Sequence, residues 1–180
     1  MKRTILPLLL LLSLAVQGQK YLTRDAYIRF FSSTPIEDIE AVNVQVSSIL
    51  SAAKSDIVFQ VPIKAFVFEK ALMQEHFNEN YMESDNFPNA TFKGKIVELP
   101  DLQSLTEEGT PIQVQGTLTI HGVAQEVEES FSIRKEKDHI LFEGVFSVSP
   151  ADHDIKIPSA VSDKIAESIE VSIKARYKTT

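Results

Sequence analysis

The chain has 180 residues, of which 43% are hydrophobic and 24% are charged, and it contains no cysteine. This length suffices for one domain with a substantial core, and the lack of cysteine excludes disulfides, thiolate metal sites and a cysteine nucleophile. Its 25 acidic residues outnumber the 18 basic ones, giving a net charge of −7. Nucleic-acid binding is therefore not expected, since it needs a clustered basic surface.

The N-terminus combines a short basic start, Met1–Arg3, with an almost unbroken apolar run from Ile5 to Val16. This pattern is typical of a secretory signal peptide. The run is shorter than the roughly 20 residues of a membrane-spanning helix, although an uncleaved anchor is the alternative. We predict a signal peptide over residues 1–18 and a mature domain over residues 19–180, located in the periplasm or secreted.

Behind this segment, apolar residues recur at every second position, which is typical of half-buried β-strands. The eight predicted strands are Tyr27–Ser32, Val42–Leu50, Ile57–Ile63, Ala90–Glu98, Ile112–Ile120, Val127–Arg134, Ile140–Val148 and Ile169–Tyr177. The second strand places on one face Val42, Val44, Val46 and Leu50. Short turn signals between strands favour antiparallel neighbours, since parallel pairing needs long crossovers. We predict an all-β fold, an eight-stranded antiparallel barrel, with a two-sheet sandwich as the alternative.

Two stretches interrupt the alternation. From Phe68 to Tyr81 the apolar residues recur at spacings of three to five among good helix formers, which predicts a short amphipathic helix between the third and fourth strands. Pro150–Asp163 contains two prolines and three aspartates and predicts a long irregular loop. Loops of this length in a compact domain often form lids or rims of sites.

The sequence offers few candidates for catalysis or metal binding. The four histidines are His76, His121, His139 and His153, and none lies in an HExxH motif; GxSxG is also absent. His76 and Glu79 could share a metal with Asp85 or Asp152, but a polar helix face explains them as well. His153 lies between two aspartates, which a solvated loop also explains. We predict no catalytic residue, metal or cofactor.

Two motifs resemble those of the YceI-like family. Residues 87–94, FPNATFKG, resemble its "YPxxTFKS" strand, and residues 116–123, GTLTIHGV, resemble its "GxLTIxGVTK" hairpin. His76 matches the histidine of the family's "RDxHL" motif, and residues 146–155 look like a variant of its "INRxDFGI" segment. The resemblance extends over nearly all of the mature chain.

The resemblance implies an exported lipocalin-like barrel that binds a long polyisoprenoid or quinone-like lipid in its interior. Met73 and Gln74 stand where the family has Arg-Asp, and Pro150 stands where it has arginine. Loss of both arginines favours a neutral head group, such as a quinone, over a pyrophosphate.

On this basis we predict a binding site with a polar rim and an apolar wall. The rim residues are His76, Asn78 and Asp152. The wall residues are Phe59, Val61, Phe92, Leu118, Phe142 and Phe146. Two alternatives are an exported stress-response or interaction protein with a filled barrel, and an enzyme using His76 or His153. A homodimer is left open.

Overall fold

A computed structural model of the protein describes residues 19–178, so the predicted signal peptide lies outside the described residues. Within that range the chain forms nine β-strands, one short helix and several single turns. The strands are β1 Lys20–Ser33, β2 Asp38–Ser51, β3 Asp56–Pro62, β4 Val67–Phe68, β5 Asn89–Ile96, β6 Thr110–Ile120, β7 Val123–Glu136, β8 His139–Val148 and β9 Ile169–Lys178. Helix α1 is Ala71–His76, and it continues into a π-helical turn, Phe77–Tyr81. The 3₁₀ turns are Ile63–Ala65, Pro150–His153 and Ser159–Val161.

Eight of the strands close into a lipocalin-like antiparallel barrel, which confirms the predicted fold and decides against a sandwich. The order around the barrel is β1-β9-β8-β7-β6-β5-β3-β2, and β2 pairs back onto β1. The ninth strand, β4, was not predicted. It pairs with Ala41 and Val42 at the start of β2, whereas β3 pairs with residues 47–51 of the same strand. β4 therefore extends the sheet beside the part of β2 that β3 does not reach.

The predicted face of the second strand is wrong over its first half. The register between β1 and β2 shifts twice, once between Thr23 and Ala26 and once between Ala26 and Ile28. The second shift is a bulge on β2, and it reverses which alternate residues point inward. Asn43 is consequently buried, with its Nδ2 donating to Pro62 O at 2.8 Å and its Oδ1 accepting from Gln45 N at 2.8 Å.

The outward side of the same bulge carries two valines that the alternation had placed inside. Val44 is 56% exposed, and Val42 lies outside with it, whereas Val46 and Leu50, beyond the bulge, are fully buried as predicted. Nothing in a period of two reveals a bulge, because one extra residue leaves each half of the strand regular.

The β6–β7 hairpin has the two-residue turn that the sequence indicated. His121 and Gly122 have φ of 51° and 76°, and Ile120 pairs directly with Val123. Two successive positive φ angles match the twist of adjoining strands, as in a type I′ turn. A Cβ on Gly122 would lie 2.6 Å from the Phe87 ring, so this close approach also requires glycine.

The predicted helix is present but shorter than Phe68–Tyr81, because residues 67–68 join the sheet as β4. Helix α1 has six residues, which is too short to be stable alone. It is held by packing, since Leu72, Met73 and His76 of α1, with Phe77 and Tyr81 of the π-helical turn, line the cavity at the barrel opening.

The half of the barrel farther from α1 is filled by side chains. Its fully buried members include Leu50, Ile57, Ile96, Ile133, Ile140, Phe142 and Tyr177. The Tyr177 hydroxyl lies 2.6 Å from Ser48 Oγ. Burial raises the pKa of Tyr177, while its hydrogen bond to Ser48 acts in the opposite direction. The half nearer α1 is different, because it encloses a cavity.

Candidate functional site

The barrel encloses a cavity of about 460 Å³ at the end covered by α1. Apolar side chains from β1, β3, β6, β8 and β9 form its walls, represented by Ile28, Val61, Leu118, Phe146 and Val171. These residues are inward-facing members of alternating strands, so the same period of two that builds the barrel lines the cavity. A concave, mostly apolar space of this size is the form that small-molecule sites usually take.

Four phenylalanines form one side of the cavity, and we call them the Phe30 cluster: Phe30, Phe66, Phe68 and Phe77. Phe30 lies 5.4 Å from Phe66 and from Phe77 between ring centroids, and Phe68 lies 5.0 Å from Phe77. These spacings are those of favourable aromatic pairs. The cluster joins β1, β4 and the π-helical turn, so it fixes the short helix over the cavity.

The segment between β8 and β9 covers the other side of the cavity. Its apolar residues Ile155, Ile157, Val161 and Ile165 line the space. The segment is tied to the β6–β7 hairpin, since Gln125 Nε2 donates to Asp152 O at 2.7 Å and buried His153 Nδ1 lies 3.1 Å from Val123 O. At its far end, Ala166 N donates to the buried Ser32 Oγ at 2.8 Å. This loop therefore covers one side of the cavity.

A few polar side chains lie among the apolar lining. Lys70 Nζ is 3.1 Å from Glu37 Oε1, so these two charges neutralise each other. His76 and Lys164 also line the cavity, and neither has an ion-pair partner within residues 19–178. Both are exposed to solvent. The opening therefore offers two hydrogen-bond donors at the boundary between the apolar space and water.

The predicted rim residues do not lie together. His76 lines the cavity, but Asn78 lies on the other side of the helix in a separate polar pocket with Lys64, Glu75 and Asp85. Asn78 Nδ2 donates to Gln74 O at 2.8 Å within the helix. Asp152 is exposed, and its backbone forms the hydrogen bonds: its carbonyl oxygen accepts from Gln125 Nε2 and its N–H donates to Ser149 O. Helical residues two apart point in different directions, so His76 and Asn78 cannot share one rim.

The predicted wall residues divide into two sets. Val61, Leu118 and Phe146 line the cavity. Phe59 and Phe142 do not, because they lie deeper in the barrel, with ring centroids 5.8 Å apart, and close off its bottom. Phe92 also does not line it and is folded against Gly94, where a Cβ would lie 2.3 Å from Phe92 Cζ. Alternation predicts that a side chain points inward, but not how deep in the barrel it lies.

Sequence reasoning missed several lining residues. Ile63 continues the alternation of the third predicted strand but was not assigned to the wall, whereas Phe66 and Phe68 follow β3 in a stretch that departs from this alternation. Lys164 and Ile165 lie in the loop before β9, where the presence of an isoleucine every few residues was the available signal. An irregular loop rich in Ile and Val is unusual unless it covers something apolar.

The remaining histidines have structural surroundings. His121 is in the β6–β7 turn, its ring 4.5 Å from that of Phe87, and its Nδ1 lies 3.3 Å from His153 O. His121 Nε2 is 3.4 Å from Glu83 Oε1. His139 Nδ1 is 2.8 Å from Asp138 Oδ1 at the opposite end of the barrel. In the part of the chain that the structure describes, no three His, Asp or Glu side chains are grouped so as to hold a metal.

These features define a closed eight-stranded barrel with an internal apolar cavity of ligand size. The YceI-like domain model matches residues 28–177, and the chain belongs to this family. No curated protein matches it. Across residues 19–178, helices that combine the length and the apolar character needed to cross a membrane are not found.

Solved structures share the fold at low sequence identity. A polyisoprenoid binding domain from Saccharophagus degradans implicated in plant cell wall breakdown has a TM-score of 0.78 at 15% identity, over 91% of this chain and all of that one. Burkholderia cenocepacia BcnA has a TM-score of 0.71 at 15% identity, over 86% and 96% of the two chains. A mutant YceI protein of Campylobacter jejuni has a TM-score of 0.57 at 17% identity, over 75% and 81%.

Proposed function

We propose that the protein binds a long-chain amphiphile, a polyisoprenoid or quinone-like lipid, with the chain inside the barrel and the head group at the opening near α1. The observation that carries the proposal is the apolar cavity of about 460 Å³. A barrel whose interior is merely filled would not contain such a space. The polyisoprenoid-binding relative supports the same class of ligand.

The driving force is burial of the ligand chain. Each buried CH₂ contributes about 0.8 kcal/mol, so ten chain carbons contribute roughly 8 kcal/mol before the cost of ordering the ligand is subtracted. The Phe30 cluster and the isoleucines of the β8–β9 loop supply the apolar contacts. Because this attraction is non-directional, it favours chains in general and selects little among them.

His76 and Lys164 determine the selectivity for the head group. Both can donate hydrogen bonds, and a quinone or other carbonyl oxygen at the opening would accept them. Lys70 is already paired with Glu37, so it is less available. A neutral acceptor head group agrees with the expectation from the missing family arginines.

The test is to purify the protein without detergent from its native host, extract it with organic solvent and identify the lipid by mass spectrometry. We expect close to one amphiphile per chain. A matched variant, Ala90→Phe, places an aromatic ring at a position that lines the cavity and should come out with much less lipid. Lipid-free native protein, or equal lipid in both proteins, would contradict the proposal.

We also propose that the chain is exported before it binds lipid. The support is the basic start and the apolar run over residues 5–16, which lie outside the described residues. N-terminal sequencing of the protein from the exported fraction should begin at Gln19. Recovery of the intact N-terminus in the cytoplasm would contradict this.

A further inference from the structure

The cavity occupies only one half of the barrel. On each strand it is lined by residues near the end that faces α1: Val61 on β3, Leu118 and Ile120 on β6, Phe146 and Val148 on β8, and Val171 on β9. The next inward residues on β3 and β9, Phe59 and Ile173, do not line it and are buried, and on β8 Phe146 is followed inward by Gly144 and then by buried Phe142. Buried side chains at one level of the barrel therefore form the bottom of the cavity.

That level is formed by three rings that we call the aromatic floor: Phe59, Phe131 and Phe142. Phe142 is 1% exposed and lies 4.8 Å from Phe131 and 5.8 Å from Phe59 between ring centroids. Phe131 also covers Gly144, where a Cβ would lie 2.3 Å from its Cδ1. Phe131 thus occupies the space that a larger side chain at position 144 would fill, and the floor is closed.

Below the floor the interior is filled. Leu50, Ile57, Ile133 and Tyr177 are all fully buried there. Protein interiors of this kind are close-packed, so a flexible chain cannot enter without displacing side chains. The ligand's length is therefore limited by the distance from the opening to Phe142.

The number of ligand carbons that fit in the cavity follows from its volume. A dry cavity of about 150 Å³ holds a benzene molecule, which is roughly 25 Å³ per carbon. The volume of about 460 Å³ then accommodates about 18 carbons. We propose that the aromatic floor limits the length of the ligand chain. The protein would then select amphiphiles with 15 to 20 chain carbons, which is three or four isoprene units. This inference rests on the proposed function and adds to it a length limit.

The experiment offers the purified full chain an equimolar mixture of isoprenoid alcohols with 10, 15, 20, 25, 30 and 40 carbons in nonionic detergent micelles. The bound alcohols are then quantified by mass spectrometry. Up to the limit, affinity rises by roughly fourfold per methylene, less the matching preference for the micelle. We expect maximal occupancy at 15 to 20 carbons and at least tenfold less at 30 and 40.

Variants test the floor directly, and comparison with wild type cancels the differing solubilities of the alcohols. Phe142→Ala removes a benzene-sized group, about six carbons of space, and should move the maximum up by one isoprene unit. Ala90→Phe adds such a group on the cavity wall beside Val61 and should move it down. Val58→Ala is the control, since Val58 faces outward and should leave the profile unchanged.

The outcomes separate the two proposals. Equal binding of 20 and 40 carbons by wild type would overturn the length limit while leaving lipid binding intact. An unchanged profile in both Phe142→Ala and Ala90→Phe would also overturn it, and Ala90→Phe alone decides if Phe142→Ala does not fold. Failure to bind any alcohol would overturn the proposed function, and the length limit with it.

Discussion

The Tyr177 hydroxyl on β9 lies 2.6 Å from Ser48 Oγ on β2, across the filled half of the barrel. Ser48 Oγ also donates to Val58 O at 2.8 Å, so the tyrosine is the donor in their shared hydrogen bond. Both residues are 1% exposed or less. The pair thus links the two strands that flank β1 and satisfies the one polar atom that Tyr177 carries into the core.

The two partners should respond unequally to substitution. Tyr177→Phe removes one buried hydrogen bond but leaves Ser48 paired with Val58, so it should lower the free energy of unfolding by about 1 kcal/mol. Ser48→Ala leaves the tyrosine hydroxyl buried without an acceptor and should cost about 1–3 kcal/mol. The double variant should cost less than the sum of the two. Urea unfolding measures all four proteins, and strict additivity would contradict the direct bond.

Tyr177 should also make stability depend on pH in the alkaline range. Burial raises its pKa above the ordinary value of 10.0, so above that pH the unfolded chain releases a proton that the folded chain retains. Stability from this group is complete below pH 10 and falls as the pH rises further. Tyr177→Phe should flatten this decline in thermal unfolding between pH 9 and 11. An equal slope in wild type and variant would show that Tyr177 does not cause it.

The sequence predicted the barrel because every strand carries the same period of two, and one face is buried throughout. It did not predict the bulge at Asn43, since a single extra residue leaves the pattern regular on each side. It also could not tell floor from wall, because Phe142 and Phe146 are both inward-facing on β8 and differ only in depth. Depth depends on strand stagger around the closed sheet, which is a property of all eight strands together.

The rim prediction shows a different limit. His76 reaches the cavity, but Lys164, on the loop before β9, approaches the same opening from far along the chain. No local pattern connects positions 76 and 164, because their proximity is created by barrel closure. Family motifs find residues shared with relatives, whereas Lys164 lies outside the motifs that the sequence matched.

Lys164 should contribute to ligand affinity through its ammonium group. Lys164→Met keeps most of the side-chain volume and removes the donor, and we expect about threefold to tenfold weaker binding of a quinone with three isoprene units. Lys156→Met is the matched control, because Lys156 is exposed on the same loop and does not line the cavity. Titration of each variant with the quinone at two salt concentrations gives the affinity of each variant. Equal weakening by the two variants would point to general charge effects and not to a contact.

The β8–β9 loop should control how fast ligand leaves, because it covers the cavity and is tied down by few bonds. Exposed Gln125 on β7, the cross-strand neighbour of Leu118, donates from Nε2 to Asp152 O at 2.7 Å. Gln125→Ala removes this tie without touching the cavity, so it should speed lipid release severalfold while changing the free energy of unfolding by about 1 kcal/mol or less. Transfer of a fluorescent lipid from the protein to vesicles measures the release rate.

The control is Gln113→Ala, which removes a similar exposed bond, Gln113 Nε2 to Ser130 Oγ at 2.7 Å, between β6 and β7 and away from the loop. Its release rate should equal that of wild type. Hydrogen exchange of residues 150–165 should quicken in Gln125→Ala alone, since loosening the tie exposes the backbone of this loop more often. Release that is unchanged while exchange quickens would mean that lipid leaves on the α1 side, under the Phe30 cluster, and that the loop is not the exit.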